Sequence, residues 1–277
     1  MRMDAIVMQS ASTAGDVRHR LVVLHGLFGS NGNWRQLAHQ WVARAASSVE
    51  VHLLSARNHG RSGHSDTMTY AAMASDTLAY VAALAPCANT VLLGHSMGAK
   101  TAMYMALAQP HAVSRVVVAD MVPTTYADFA AHVAYARAMR DLDLQQLRSR
   151  ADIERHLALA VPDRPTRAFL MTNLARVDEN DGNSGFRWLL NIDLLSRDYV
   201  LETLRAWPET HQFAPFAGPV LFLRGGKSNY VSDAAFEAAK RTLFPNAVLS
   251  TVAGAGHWLH AEKPADVVSA VESFAFH

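Results

Sequence analysis

Short runs of apolar, mostly β-branched residues alternate with longer helical patterns through the first 120 residues, and this alternation limits the possible folds more than any other feature. Parallel strands need long crossover connections, usually helices, so the alternation predicts an α/β fold built on a mostly parallel sheet. The strand-like runs are 21–25 (LVVLH), 49–55, 90–94 (TVLLG) and 113–119 (VSRVVVA). Helical patterns fill 34–46, 70–85 and 97–108, the last closed by Pro110. Runs this apolar are covered on both faces, which predicts helices on either side of the sheet. From 124 to 213 the pattern becomes helical without intervening β runs (126–140, 152–160, 166–177, 185–195 and 198–207), which predicts an inserted helical lid. Alternation then resumes with 219–224 (PVLFLR), 232–243, 247–252 and 264–276. The expected division is a core domain of 1–123 and 214–277 with a lid of 124–213.

Half of the 277 residues are hydrophobic, enough for a full core without metal or disulfide staples. The 25 Lys and Arg nearly balance the 24 Asp and Glu, so no field attracts nucleic acid or an anionic membrane surface. Apolar runs are broken by Asp76, Lys100 and Asp120, short of the ~18 residues a membrane span needs. Residues 1–9 carry Arg2 and Asp4 and lack the apolar stretch of a signal peptide. Cys87 is the single cysteine and is expected to be inert; with no disulfide possible within the chain, a cytoplasmic location is expected, an organellar one such as mitochondrial being the alternative. The expected state is a monomer or small homo-oligomer.

Gly94-His95-Ser96-Met97-Gly98 lies where an apolar strand ends and a helix begins. Glycines flank the serine because a tight turn brings neighbouring backbone too close for side chains, which exposes the hydroxyl above the sheet edge. The following helix directs its N-terminus at that hydroxyl, where partial positive charge favours a developing oxyanion. Ser96 is therefore the candidate nucleophile, the plainer alternative being a helix N-cap. A serine hydroxyl needs a positioned base. Of the 14 histidines, His257 stands in a Gly-rich loop after the last strand, placed to lay its ring over the strand ends, and His260 reads as its structural neighbour. No His-Glu-x-x-His spacing or Cys/His cluster is present, so no metal is expected.

With the elbow at Ser96, His25-Gly-Leu-Phe-Gly, Arg57-Asn-His-Gly-Arg-Ser and Gly254-Ala-Gly-His-Trp, nearly the whole chain resembles the α/β-hydrolase superfamily. Val118-Ala-Asp-Met-Val-Pro and Arg224-Gly-Gly-Lys-Ser-Asn-Tyr-Val further resemble the YbfF-type esterases, small acyl-ester and acyl-thioester hydrolases. The resemblance implies the α/β-hydrolase fold, a serine hydrolase working through an acyl-enzyme, a small ester or thioester substrate and no cofactor. It also implies that Arg57–Ser62 is scaffold. The commonest superfamily pattern puts the acid after the PVLFLR strand, where this chain has Ser228. Asp120 ends the adjacent strand and is expected to orient His257 with Ser228 as an auxiliary partner; Asp233, which also reads as a helix N-cap, is the alternative acid. The oxyanion donors are expected to be the backbone N–H of Met97 and of Leu27, with Phe28 as the alternative to Leu27. Lys100 reads as a solvated residue of the first helical turns. Other serine-dependent chemistries of the superfamily, namely carbon–carbon hydrolysis, acyl transfer or perhydrolysis, and a non-catalytic ligand-binding role share these residues and remain the alternatives.

Overall fold

The computed structural model describes residues 1–11, 17–147, 149–177 and 185–277. Its seven-stranded sheet has the order β1-β3-β2-β4-β5-β8-β9. The strands are β1 (Ala5–Gln9), β2 (His19–Leu24), β3 (Val49–Leu54), β4 (Asn89–His95), β5 (Arg115–Ala119), β8 (Val220–Gly225) and β9 (Ala247–Val252). All neighbours pair in parallel except β1, which runs antiparallel to β3. The period-two geometry of a strand sends alternate side chains to opposite faces. Leu21 and Val23 join one buried cluster with α1 (Arg35–Arg44) and α11 (Pro264–Ala275). Val22 and Leu24 join the other, with α2 (Tyr70–Ala82), α3 (Met97–Ala108) and α9 (Asp233–Thr242). Val116/Val118 against Val117, and Phe222 against Leu221/Leu223, divide in the same way. The continuous apolar runs thus reflect burial on both faces.

Between the neighbouring strands β5 and β8 the chain leaves the sheet at the carboxyl end of β5 and forms α4 (Ala130–Arg140), α5 (Arg150–Leu157), α6 (Arg164–Met171), β6 (Leu174–Val177), β7 (Gly185–Trp188), α7 (Ile192–Leu195) and α8 (Asp198–Arg205). These elements share a third apolar cluster with Leu27, Phe28 and Met97, so they pack over the strand ends that carry those residues. The expectation of an all-helical insert is corrected here. Residues 174–177 and 185–188 are a two-stranded antiparallel pair in which Leu174 faces Trp188 and Arg176 faces Phe186. Leu174 and Phe186 are buried while Arg176 and Arg187 are exposed, a two-residue alternation too short to stand out among helical neighbours. α10 (Leu259–Glu262) follows the loop after β9.

Candidate active site

The turn from β4 to α3 holds Ser96 at φ 53° and ψ −117°, a left-handed conformation that a non-glycine residue adopts only when its surroundings impose it. The two flanking glycines explain how. A Cβ on Gly94 would lie 2.2 Å from the Gly98 carbonyl oxygen, and one on Gly98 would lie 2.2 Å from the Leu24 carbonyl oxygen. Gly98→Ala is therefore expected to destabilise the chain by about 3 kcal/mol or more, because backbone rather than a movable side chain blocks the methyl group. A thermal melt of the variant checks this. Ser96 occupies the N-cap position of α3, yet its side chain makes no capping hydrogen bond, so the hydroxyl is not consumed as a cap.

Asp120 also has a left-handed backbone (φ 48°) and no exposed surface. It follows β5, and its N–H donates to the Leu223 carbonyl of β8 at 2.8 Å, turning the carboxylate across the strand ends. Oδ1 accepts from the Gly225 N–H at 2.9 Å, while Oδ2 accepts from the Ser228 hydroxyl and from His257 Nδ1 at 2.7 Å. With Nδ1–H committed to a carboxylate, His257 Nε2 is left as the basic nitrogen. Tyr230 stacks on the His257 ring with centroids 4.0 Å apart, and His95 Nε2–H donates to the His257 carbonyl at 2.9 Å. The imidazole is thereby fixed on its edge, its face and its backbone.

Asp233 does not join this cluster. Its carboxylate is exposed and pairs with Arg224. Nor is it the helix cap, since Ser232 precedes α9 and accepts from the Ala235 N–H at 3.2 Å.

Ser96 and His257 line one cavity of about 200 Å³, together with His25, Leu27, Phe28 and His132. Among the described residues no hydrogen bond joins the Ser96 hydroxyl to the His257 ring, a contact that in free enzymes is often long and tightens with substrate. Met97 opens α3, so its N–H is one of the first-turn donors a helix leaves without an internal partner. In the loop after β2, the Phe28 N–H donates to His59 Nε2 at 3.3 Å and the Gly29 N–H to the Gly26 carbonyl at 3.0 Å. Leu27, not Phe28, is left with the uncommitted donor among the described residues.

Two buried histidines build that loop. His25 donates from Nδ1 to the Gly26 carbonyl (2.7 Å) and accepts the Ala56 N–H at Nε2 (3.0 Å); His59 donates from Nδ1 to the Arg57 carbonyl (2.9 Å) while accepting from Phe28. Each needs a neutral ring to do both. Burial keeps them neutral, lowering His25 to about 4 and, with help from nearby His25, His59 to about 3. Arg57 binds Asp76 at 2.7 Å, and the Asn58 carbonyl accepts from the Asn191 N–H at 3.0 Å. The 57–62 loop thus ties the core to the inserted segment.

Lys100 corrects the sequence expectation. It is 1% exposed, and its ammonium donates to the Arg205 and Ala206 carbonyls at 2.8 and 2.9 Å and lies 4.9 Å from the Tyr126 ring centroid. Burial, with the nearby Arg205 charge, lowers its pKa to about 7. It caps the end of α8, a role no local pattern signals because the acceptors lie over a hundred residues away.

His95, His132 and Tyr230 were not singled out by sequence reasoning. The signal for His95 was its place inside the elbow, and for Tyr230 its place two residues after Ser228; His132 has none beyond its position on an inserted helix. Among the described residues no group of three or more His, Cys, Asp or Glu could hold a metal ion, and no helix is long and apolar enough to cross a membrane.

Residues 21–271 match the model of the alpha/beta hydrolase family. The chain is similar to the mouse (Mus musculus) sn-1-specific diacylglycerol lipase ABHD11, 39% identical over 92% of this chain and 80% of that protein. It is similar to esterase YbfF of Escherichia coli (strain K12), 31% identical over 92% of each chain. A solved structure of a marine microorganism esterase superposes with a TM-score of 0.86 at 31% identity, covering 99% of this chain and all of that one.

Proposed function

The chain belongs to the alpha/beta hydrolase family and is an ester-hydrolysing enzyme, and from that premise we propose that it cleaves carboxylic esters or acyl thioesters through an acyl-enzyme on Ser96. The Ser96 oxygen forms a bond to the substrate carbonyl carbon as its proton passes to His257 Nε2. The carbonyl oxygen, now carrying the charge, accepts from the Met97 and Leu27 N–H groups, backbone donors that have no other partner among the described residues. His257 returns its proton to the leaving oxygen or sulfur as the carbon–heteroatom bond breaks. Water then repeats the sequence on the acyl-serine, giving up its proton to His257 and releasing the carboxylic acid and free Ser96. Asp120 holds Nδ1–H in place and stabilises the imidazolium formed in both halves, with Ser228 fixing the carboxylate. Nothing in these steps calls for a cofactor.

The observation that carries this reading is the 2.7 Å contact between fully buried Asp120 and His257, whose ring shares a cavity wall with Ser96. The superfamily's hydrolases with an aspartate nucleophile are a poor match, because the elbow residue is serine. The test is hydrolysis of p-nitrophenyl esters from acetyl to palmitoyl, with acyl-CoAs alongside, by the wild type and by Ser96→Ala. The expected result is turnover that falls by about 10⁴-fold or more in Ser96→Ala. Equal turnover by both proteins would overturn the assignment.

A further inference from the structure

Two cavities meet at Ser96. The larger is the one containing His257; a smaller one of about 20 Å³ is lined by Leu27, Met97, Lys100, Tyr126 and Phe129 and does not include His257. In the proposed reaction His257 hands its proton to the departing oxygen, so the leaving alcohol must lie on the His257 side, in the larger cavity. The acyl group then turns into the smaller one, which has room for a chain of one or two carbons beyond the carbonyl.

His132, on α4, borders both cavities. Its ring is stacked on Phe129 with centroids 4.2 Å apart and an interplanar angle of 11°, with Phe28 6.5 Å away, so its orientation is set by aromatic neighbours. Among the described residues neither ring nitrogen has a hydrogen-bond partner, in contrast to His25 and His59, whose nitrogens are all engaged. Tyr135, about one turn further along α4, lines the larger cavity, and its hydroxyl likewise has no partner among the described residues. Burial and the nearby His257 lower His132 to about 4 against the opposing pull of Asp128, so at neutral pH the ring offers one donor and one acceptor. That pair matches a hydroxyl group, which also donates once and accepts, and an alkyl chain would leave it unsatisfied.

We propose that His132 and Tyr135 form an alcohol-side subsite that reads a free hydroxyl close to the scissile ester oxygen, so that the preferred substrates are short-chain partial esters of polyols. The proposal rests on the hydrolytic reading above. A substrate hydroxyl satisfies groups that a plain alkyl ester leaves desolvated and unpaired, and such pairing discriminates more strongly than one added methylene would.

The test compares kcat/KM for glyceryl 1-monoacetate with that for propyl acetate, which has the same carbon skeleton without the hydroxyls. Each protein is measured on both, so the ratio does not depend on how much of a variant folds. The ratio is expected to fall about five- to tenfold in His132→Phe and to be largely kept in His132→Gln, which still donates and accepts. Tyr135→Phe, which deletes one oxygen, is expected to lower it in the same sense. A ratio unchanged in His132→Phe, with both esters slowed equally or not at all, would overturn the subsite while leaving ester hydrolysis standing. If the wild type hydrolyses neither acetate yet cleaves another p-nitrophenyl ester or acyl-CoA in a Ser96-dependent manner, the short-chain subsite is overturned while ester hydrolysis stands; if it cleaves none of them, the hydrolytic reading fails and the subsite with it.

Discussion

Asp120→Asn is expected to lower kcat for ester hydrolysis by about 10⁴-fold, with little change in KM. Both carboxylate oxygens accept: Oδ1 from the Gly225 N–H, Oδ2 from His257 and Ser228. An asparagine amide has only one accepting oxygen. Turned to satisfy Gly225, it presents an NH₂ group to His257 Nδ1, which must then become the acceptor and move the ring proton to Nε2, where the base is needed. Turned the other way, it sets NH₂ against the Gly225 N–H in a site with no exposed surface and loses the charge that stabilises the imidazolium. Ser228→Ala removes one of several donors and is expected to cost about tenfold or less. Asp233→Asn breaks only an exposed pair with Arg224 and is expected to stay within about twofold of wild type. Steady-state kinetics on one p-nitrophenyl ester distinguishes the three. A large loss in Asp233→Asn with near-normal turnover in Asp120→Asn would reverse the assignment of the acid.

Stability is expected to collapse on mild acidification. His25, His59, His132 and His260 are held neutral by burial, lowered to about 4, 3, 4 and 3, and His95 is held well below its ordinary value by burial and by neighbouring His257 and His260. In the unfolded chain each binds a proton below about pH 6.5, whereas in the folded chain it does not until far lower. Between those values the unfolded state binds more protons, so stability rises with pH there and is lost as pH falls from 6.5. At pH 5 each of His25, His59, His132 and His260 costs about 2 kcal/mol, and the four together are comparable with the whole stability of a typical domain, with His95 acting in the same direction. Thermal melts should drop by roughly 20 °C or more between about pH 7 and pH 5. A Tm that changes by only a few degrees over that range would show that these rings are protonated in the folded chain.

The inner strands β2, β3, β4, β5 and β8 could be read from the sequence because each is buried on both faces, and an unbroken apolar run of that length has few other homes. β1 could not, because it is an edge strand whose residues alternate between half-buried and exposed, a weak pattern over five positions. Helix ends shifted by a few residues where side-chain caps decide them, as with Asp163, which accepts the Thr166 N–H and starts α6 two residues before the expected position. Ser96 and His257 announced themselves through the glycines around them, since close backbone approach leaves a local mark. Asp120 was legible only as the end of the strand beside that of Ser96. Its bonds to Gly225 and Ser228 span more than a hundred residues, as do those of Lys100 to the end of α8, and no local pattern encodes such contacts. The same distance hid Tyr230 over the His257 ring and His132 at the junction of the two cavities.

An acyl-enzyme on Ser96 is tested by the mass of the chain quenched in acid while it turns over p-nitrophenyl acetate, followed by peptide mapping. One acetyl group is expected, on the peptide carrying Ser96, that is absent in Ser96→Ala and disappears from the wild type once substrate is exhausted. Acetyl groups on another residue, or the same labelling in Ser96→Ala, would contradict it.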